Sequence, residues 1–439
     1  MKSLSKQLIE LINSKSVTAD DLIKTREFML DWVGCYAAGS KTEQGNVINN
    51  WNCKWGGTGL EQEVFVTAAL SHITETDDLH RRSVTHPACV VFPVTWHLSR
   101  YLKKSFDECL VASIKGYEAM CRVGEAVGPA HYKIFHNTAT AGVFGSAVAA
   151  GSLLELNEEQ VVWAMGNAGT QAAGLWQFNV DATMSKHLHA GHAASAGLKA
   201  ALLAAEGFTG PSKILEGEKG FFKGLCSDPD PNAIVRESKG WKLTETSIKP
   251  YPSCRHTHPA IDAALEIRKA MNQDGTPAYE IDSIEILTYE TALRLTDNNS
   301  PNSTFAAKFS IQYCVSLALS EGFPQLYHFE NDLLKKHQKS ELIGFTKVNT
   351  TTTFNEAYPT HWGARVIVKA GSKVFESEIK SAKGDPENPL TKEELVKKFN
   401  GLMNYAGYGG EVASELSNWI LEASDDELVP ELLKTLNIK

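Results

Sequence analysis

The sequence predicts a mainly α protein, a large all-helical domain interrupted by an inserted α+β domain. Three observations lead there. Apolar residues recur at helical spacing behind capping signals through the first half. Two long stretches consist of small residues. From about Thr244 β-branched segments appear, before helix returns near Thr391. The expected limits are 1–243 for the first part of the helical domain, 244–388 for the α+β domain and 389–439 for the helical return.

Each element has a local reason. Thr18 with Asp21, Ser105 with Glu108 and Asn157 with Gln160 read as capping boxes, and Leu22, Met29, Val33 and Tyr36 form one apolar stripe. Gly39, Gly116, Gly151 and Gly207 are expected near helix ends or bends. The stretches Thr138–Gly151 and Ala190–Gly207 suit helices whose backbones approach closely at the centre of a bundle. Gly166-Asn-Ala-Gly169 fits neither nucleotide-loop pattern, and no strand precedes it. Ile281–Tyr289 has strand composition, and Ala364–Ala370, Gly371-Ser and Lys373–Ile379 read as a hairpin with a glycine turn. Phe305–Gly322 is expected to be helical, and Thr391 with Glu394 to cap the returning helix.

Composition excludes several function classes. Lys and Arg number 43 against 52 Asp and Glu, a net charge of −9, and no basic run occurs, which argues against a nucleic-acid partner. The eight cysteines are scattered without a CxxC pair, as in a reducing compartment. The N-terminus lacks the pattern of a signal peptide, and Ala139–Leu154, the longest apolar stretch, is too short to span a bilayer. A cytoplasmic enzyme with no membrane partner is the expectation.

Chemistry-bearing residues gather in five places. The first holds Glu75, Asp78, Arg81, Arg82 and His86, directly before the apolar run Cys89–Trp96. A solvated loop would look similar, but charge at the edge of a core is where ionisation shifts. The second is His131-Tyr-Lys-Ile-Phe-His136-Asn-Thr, where Asn137 or Thr138 could cap the following helix and its N-terminus attract an anion. The third places Lys186 just before a small-residue helix, with His189 and His192 at a spacing that could ligate a metal, though no HExxH pattern accompanies them. The fourth is Lys249-Pro-Tyr-Pro-Ser-Cys254-Arg255-His256-Thr-His258-Pro, and the fifth Phe305-Ala-Ala-Lys308-Phe-Ser-Ile-Gln-Tyr313. No GxSxG elbow and no cysteine signature for nucleophilic catalysis lies nearby. What remains is proton-transfer equipment with anion-binding groups. That inventory suits proton abstraction next to a carboxylate, whose enolate-like state needs cations and hydrogen-bond donors.

Together the motifs Asp-Asp…His-Pro, Phe-His-Asn-Thr-Ala-Thr-Ala-Gly, Met-Ser-Lys-His-Leu-His-Ala-Gly, Tyr-Pro-Ser-Cys-Arg-His-Thr-His and Lys-Phe-Ser-Ile-Gln-Tyr resemble the MmgE/PrpD family over nearly the whole chain. The resemblance implies a helical domain with an α+β lid, usually a homodimer, with the site between the two domains; separately, the lack of convincing ligand spacing or a nucleotide loop leads to the expectation of catalysis with no cofactor and no metal. Its active-site lysine falls on Lys186, its tyrosine on Tyr313, and its histidines on His86, His136 and, on the lid side, His258, with Cys254 and His256 close by. Glu75 and Asp78 fall in its acidic motif, where Leu79 stands in place of a hydroxyl residue. Lys186 and Arg255 are expected to hold carboxylate oxygens, helped by Arg81, Arg82, His256 and Lys308, while the histidines and Tyr313 handle protons. The implied activity is that of a lyase, dehydratase-like, on a small di- or tricarboxylate. A dicarboxylate epimerase, a decarboxylase of the same family and a non-catalytic carboxylate-binding protein are the alternatives.

Overall fold

A computed structural model describes residues 2–181, 183–424, 426–431 and 436. It divides into two compact units, one comprising Met1–Ile73, Asp77–Thr246 and Lys392–Lys439, the other Thr74–Thr76 and Ser247–Thr391.

The first unit is helical. Its helices include Ala19–Ser40, Leu60–Ser71, Ala88–Leu102, Phe106–Ala126, Asn137–Leu153, Glu158–Gly169 and Ser185–Ala205. The capping boxes at Thr18, Ser105 and Asn157 all form, each satisfying amides that the first helical turn leaves orphaned. Asn137–Leu153 is the centre of the unit, packed against Phe106–Ala126 on one side and Ser185–Ala205 on the other. Small residues permit this. A Cβ on Gly145 would stand 2.6 Å from Met120 Cβ, and one on Gly197 would stand 2.5 Å from Ser146 Cβ. Gly116, expected near a helix end or bend, lies mid-helix for the same reason, its missing Cβ making room for Ala149 and Val91. Around this centre sit large aromatic side chains, Trp32 against Phe92 and Trp96, all fully buried. The returning helices Lys392–Tyr405 and Gly410–Glu422 pack on Ala19–Ser40, with Phe399 and Leu402 closing on Gly34.

The second unit carries a four-stranded sheet ordered Thr346–Thr350, Ile281–Thr288, Ala364–Ala370, Lys373–Ile379. The first pair is parallel and the other two antiparallel. The hairpin turns at Gly371 with φ +56°, a conformation glycine adopts without strain. Helix His258–Asp274 covers Ala364–Ala370 and Lys373–Ile379. Ile267 and Met271 join Ile284, Ile286, Val366 and Val368 in one core.

Two local expectations are corrected. The single helix over Phe305–Gly322 is two, Thr304–Lys308 and Ile311–Ser320, because the Ser310 hydroxyl accepts from Tyr313 N–H and starts a new helix. The helix expected to be capped by Asn137 or Thr138 takes His136 as its N-cap residue, with no side-chain cap bond. Both side chains are used elsewhere: Asn137 Nδ2 donates to the Ser83 carbonyl, and Thr138 Oγ1 accepts from His86 N–H.

The helix contact at Gly197 gives a stability test. Gly197→Ala should lower the unfolding free energy by about 1–3 kcal/mol through overpacking. Gly401→Ala, in a helix with nothing within 4 Å of the new Cβ, should raise it by about 0.5–1 kcal/mol. Denaturant titration of both variants checks this, and equal effects would contradict the close-contact account.

Candidate active site

In the first unit the helix Leu60–Ser71 ends at His72, and the chain crosses Asp77–His86 before entering the helix Ala88–Leu102. The segment is almost wholly buried. Arg81 is inside with the rest, and Arg82 is the exposed exception. Asp78 is held by Ala88 N–H on Oδ1 (3.0 Å) and by the Tyr117 hydroxyl on Oδ2 (2.9 Å). Burial and the neighbouring Asp77 charge push the Asp78 carboxyl well above the usual range. Two neighbouring buried carboxyls disfavour each other's ionisation, and Asp78 is the one displaced toward its protonated form.

Imidazoles surround that charge. His72 Nδ1–H donates to Asp77 Oδ2 at 2.6 Å, and His86 Nδ1 lies 3.4 Å from the same oxygen. His86 Nδ1 also lies 2.5 Å from the Asp78 carbonyl. A carbonyl has no proton to give, so Nδ1 carries the hydrogen. The His72 ring stacks on His136, 5.6 Å between centroids, and His136 Nδ1 meets His189 Nδ1 at 3.3 Å, one donating and the other accepting. Burial, then the charges of His72, Lys186, His189 and His86, drives the His136 imidazole well below its ordinary range. His189 is pushed down to about 4, chiefly by burial, with His72, His192 and Lys186 adding to it. Lys186 is buried in the first turn of Ser185–Ala205. The unit thus brings together Asp78, His86, His136 and Lys186 from the sequence reading, and adds Asp77, His72 and His189. Only a buried histidine five residues ahead of the Asp-Asp pair could have pointed to His72.

The second unit holds the other anticipated residues. Glu75, with φ +60°, places its carboxylate 3.4 Å from the Nζ of Lys249, which is fully buried. Lys308 Nζ donates to the Thr74 carbonyl at 3.0 Å. Lys249 opens the fourth cluster of the sequence, where nothing around it but its prolines marks it as buried. The Arg255 guanidinium is bound to Asp385 (2.5 Å), to His258 Nδ1 (2.8 Å) and to the carbonyls of Ala382 and Lys383. His258 Nε2–H in turn donates to the Ser253 carbonyl. The Tyr313 hydroxyl donates to the His328 carbonyl at 2.6 Å, and burial raises its pKa. His256 lies flat on Trp362, 4.1 Å between centroids, with Nδ1 2.6 Å from the Tyr289 hydroxyl. Burial, then Arg294 and Arg255, pushes His256 down to about 3, so it offers a hydrogen bond and not a charge.

A family model for the MmgE/PrpD N-terminal domain matches residues 7–234, and one for the MmgE/PrpD C-terminal domain matches residues 251–417. The chain belongs to the MmgE/PrpD family. Among its curated relatives, cis-aconitate decarboxylase of Mus musculus is 26% identical over 91% of this chain and 86% of the relative. The cis-aconitate decarboxylase of Aspergillus terreus is 24% identical over 76% of this chain and 73% of its own length. A 2-methylcitrate dehydratase of Cupriavidus necator is 27% identical over 38% of this chain and 34% of its own.

Two groups in this MmgE/PrpD chain have metal-ligand spacing among the described residues, His72/Asp77/His86 and His80/Glu125/Glu245. In the first, the ligand atoms are already engaged with oxygen, His72 Nδ1 with Asp77 Oδ2 and His86 Nδ1 with the Asp78 carbonyl, to which it donates. In the second, Lys242 Nζ lies 2.9 Å from Glu125 and 3.0 Å from Glu245 and supplies the positive charge itself. His189 and His192, spaced for a metal in the sequence, part company: His189 turns to His136, while His192 Nε2 bonds the Gln171 carbonyl. No helix among the described residues is long and apolar enough to cross a membrane.

The depressed His256 gives a pH test. A histidine whose folded pKa lies below its unfolded value contributes stability above the unfolded value, near 6.5, and loses it as pH falls toward about 3. His256→Phe keeps the stack on Trp362 and removes the titration. The stability of the natural protein relative to this variant should therefore fall by about 2 kcal/mol between pH 7 and pH 5. Parallel unfolding curves that keep a constant difference over that range would show that His256 titrates normally.

Proposed function

We propose that this chain is a lyase for a small tricarboxylate, working by proton transfer at a carbon next to a carboxylate and needing no metal. The observation that carries the reading is the buried His86–Asp77–His72 and His136–His189 arrangement beside Lys186. His86 presents a lone pair on Nε2 backed by a carboxylate, which is what a general base or acid requires. Lys186 supplies a fixed positive charge where an anionic substrate and its enolate-like state need one. The Asp78 and Cys89 side chains are held protonated by burial and by the Asp77 charge, so neither competes as a base or nucleophile.

Decarboxylation stands ahead of dehydration in this reading, since the relatives aligned over most of the chain carry that name. In decarboxylation the carbon–carbon bond breaks, carbon dioxide leaves, and the electron pair left on carbon takes a proton from an enzyme acid. In dehydration a base takes the proton first, and hydroxide departs with a second proton as water. Both require the same group to hold a proton at carbon, and a dicarboxylate epimerase would use it too.

The test is product analysis with cis-aconitate and 2-methylcitrate, each with and without a chelator. Carbon dioxide released from cis-aconitate at an unchanged rate in chelator is the expected result. Loss of water from 2-methylcitrate, seen as a new ultraviolet-absorbing conjugated acid, would place the chain with the dehydratases. Turnover of neither contradicts the reading, and loss of activity in chelator restored by one divalent metal contradicts its metal-free part.

A further inference from the structure

His72 is fully buried, and its two ring nitrogens differ sharply. Nδ1–H donates to Asp77 Oδ2 at 2.6 Å, while Nε2 has no hydrogen-bond partner among the described residues. A buried polar atom left unsatisfied is costly, so a ring kept here has some compensating task. Packing alone would be served by an apolar ring against His86 and His136, 4.9 and 5.6 Å away. The task lies on the Nδ1 side. Asp77 Oδ2, the oxygen His72 holds, is also the one 3.4 Å from His86 Nδ1.

We propose that His72 is a positioning residue for proton transfer, fixing the Asp77 carboxylate as the counter-charge behind His86. The inference rests on the proposed function, in which His86 Nε2 exchanges a proton with the substrate. When Nε2 takes that proton the ring becomes a cation, and a carboxylate at Nδ1 stabilises it only if the carboxylate stays oriented. Other hydrogen bonds of the His86 ring and backbone do not involve Asp77, among them that of the Cys89 thiol to the His86 carbonyl. The Asp78 carbonyl receives Nδ1–H, and Thr138 Oγ1 receives the backbone N–H. The short bond from His72 contributes that orientation, beside a hydrogen bond between Asp77 and the Cys89 thiol, and it joins the end of the Leu60–Ser71 helix to the acidic pair.

Two polar variants separate orientation from bulk. His72→Asn places an amide N–H where Nδ1–H stands and keeps the donor to Asp77. His72→Gln places its amide where Nε2 stands and removes that donor. With cis-aconitate or 2-methylcitrate, whichever is turned over, His72→Gln should lower kcat at least tenfold with KM changed less than about twofold, while His72→Asn stays within about threefold of the natural protein. Proton NMR of the unaltered protein labelled with 15N-histidine should show a strongly downfield ring N–H that disappears in both variants. Equal loss of kcat in the two variants, no loss in either, or an effect on KM alone overturns the proposal. So does absence of the downfield resonance, which needs no substrate. Failure of the natural protein to turn over either acid refutes the proposed function instead, and withdraws the positioning role of His72 even where the resonance is present.

Discussion

Burial of charge between closely packed helices is the constraint on which the first unit depends. Asn137–Leu153 and Ser185–Ala205 approach so closely that a Cβ on Gly197 would clash with Ser146, and His136 and Lys186 stand at the N-terminal ends of these two helices. Water is excluded there, and any ionised group has to be answered by another. Asp77 is answered by His72 and His86, and Asp78 keeps its proton. His136 and His189 stay neutral and share one hydrogen. Stability and reactivity therefore come from the same feature.

That environment sets the chemistry. An imidazole in water is an ordinary base, but one with its tautomer fixed by a backbone carbonyl and a carboxylate behind it is prepared to exchange a proton in one direction. The second unit treats its charges differently. Arg255 is committed to Asp385 and two carbonyls, and Lys249 faces Glu75, so much of its buried charge is already answered within the unit. Its aromatic group of His256, Tyr289, Tyr358 and Trp362 is packed as a cluster of rings.

The fold was legible because its signals are local. Thr18, Ser105 and Asn157 announce helices through hydrogen bonds three residues away, and the hairpin at Gly371 is a matter of two strands and a turn. The break at Ser310 was missed because an apolar run hides a serine cap until its hydroxyl is seen on Tyr313 N–H. For the site, Asp78, His86, His136 and Lys186 stood out by motif. His72, His189 and Lys249 did not announce these roles, since each acquires its partner by tertiary packing and a sequence shows residue types without showing which of them are buried together.

The central claim is that a proton moves at a carbon beside a carboxylate, and the solvent isotope tests it most directly. With cis-aconitate, 2-methylcitrate and related di- and tricarboxylates supplied in deuterium oxide, NMR of the recovered acids should show enzyme-dependent deuterium on a carbon next to a carboxylate. That label should appear in the product of any acid decarboxylated, or by back-exchange in an acid that is dehydrated or epimerised. Turnover with no deuterium on any such carbon, or no exchange and no turnover across the whole panel, would contradict the account.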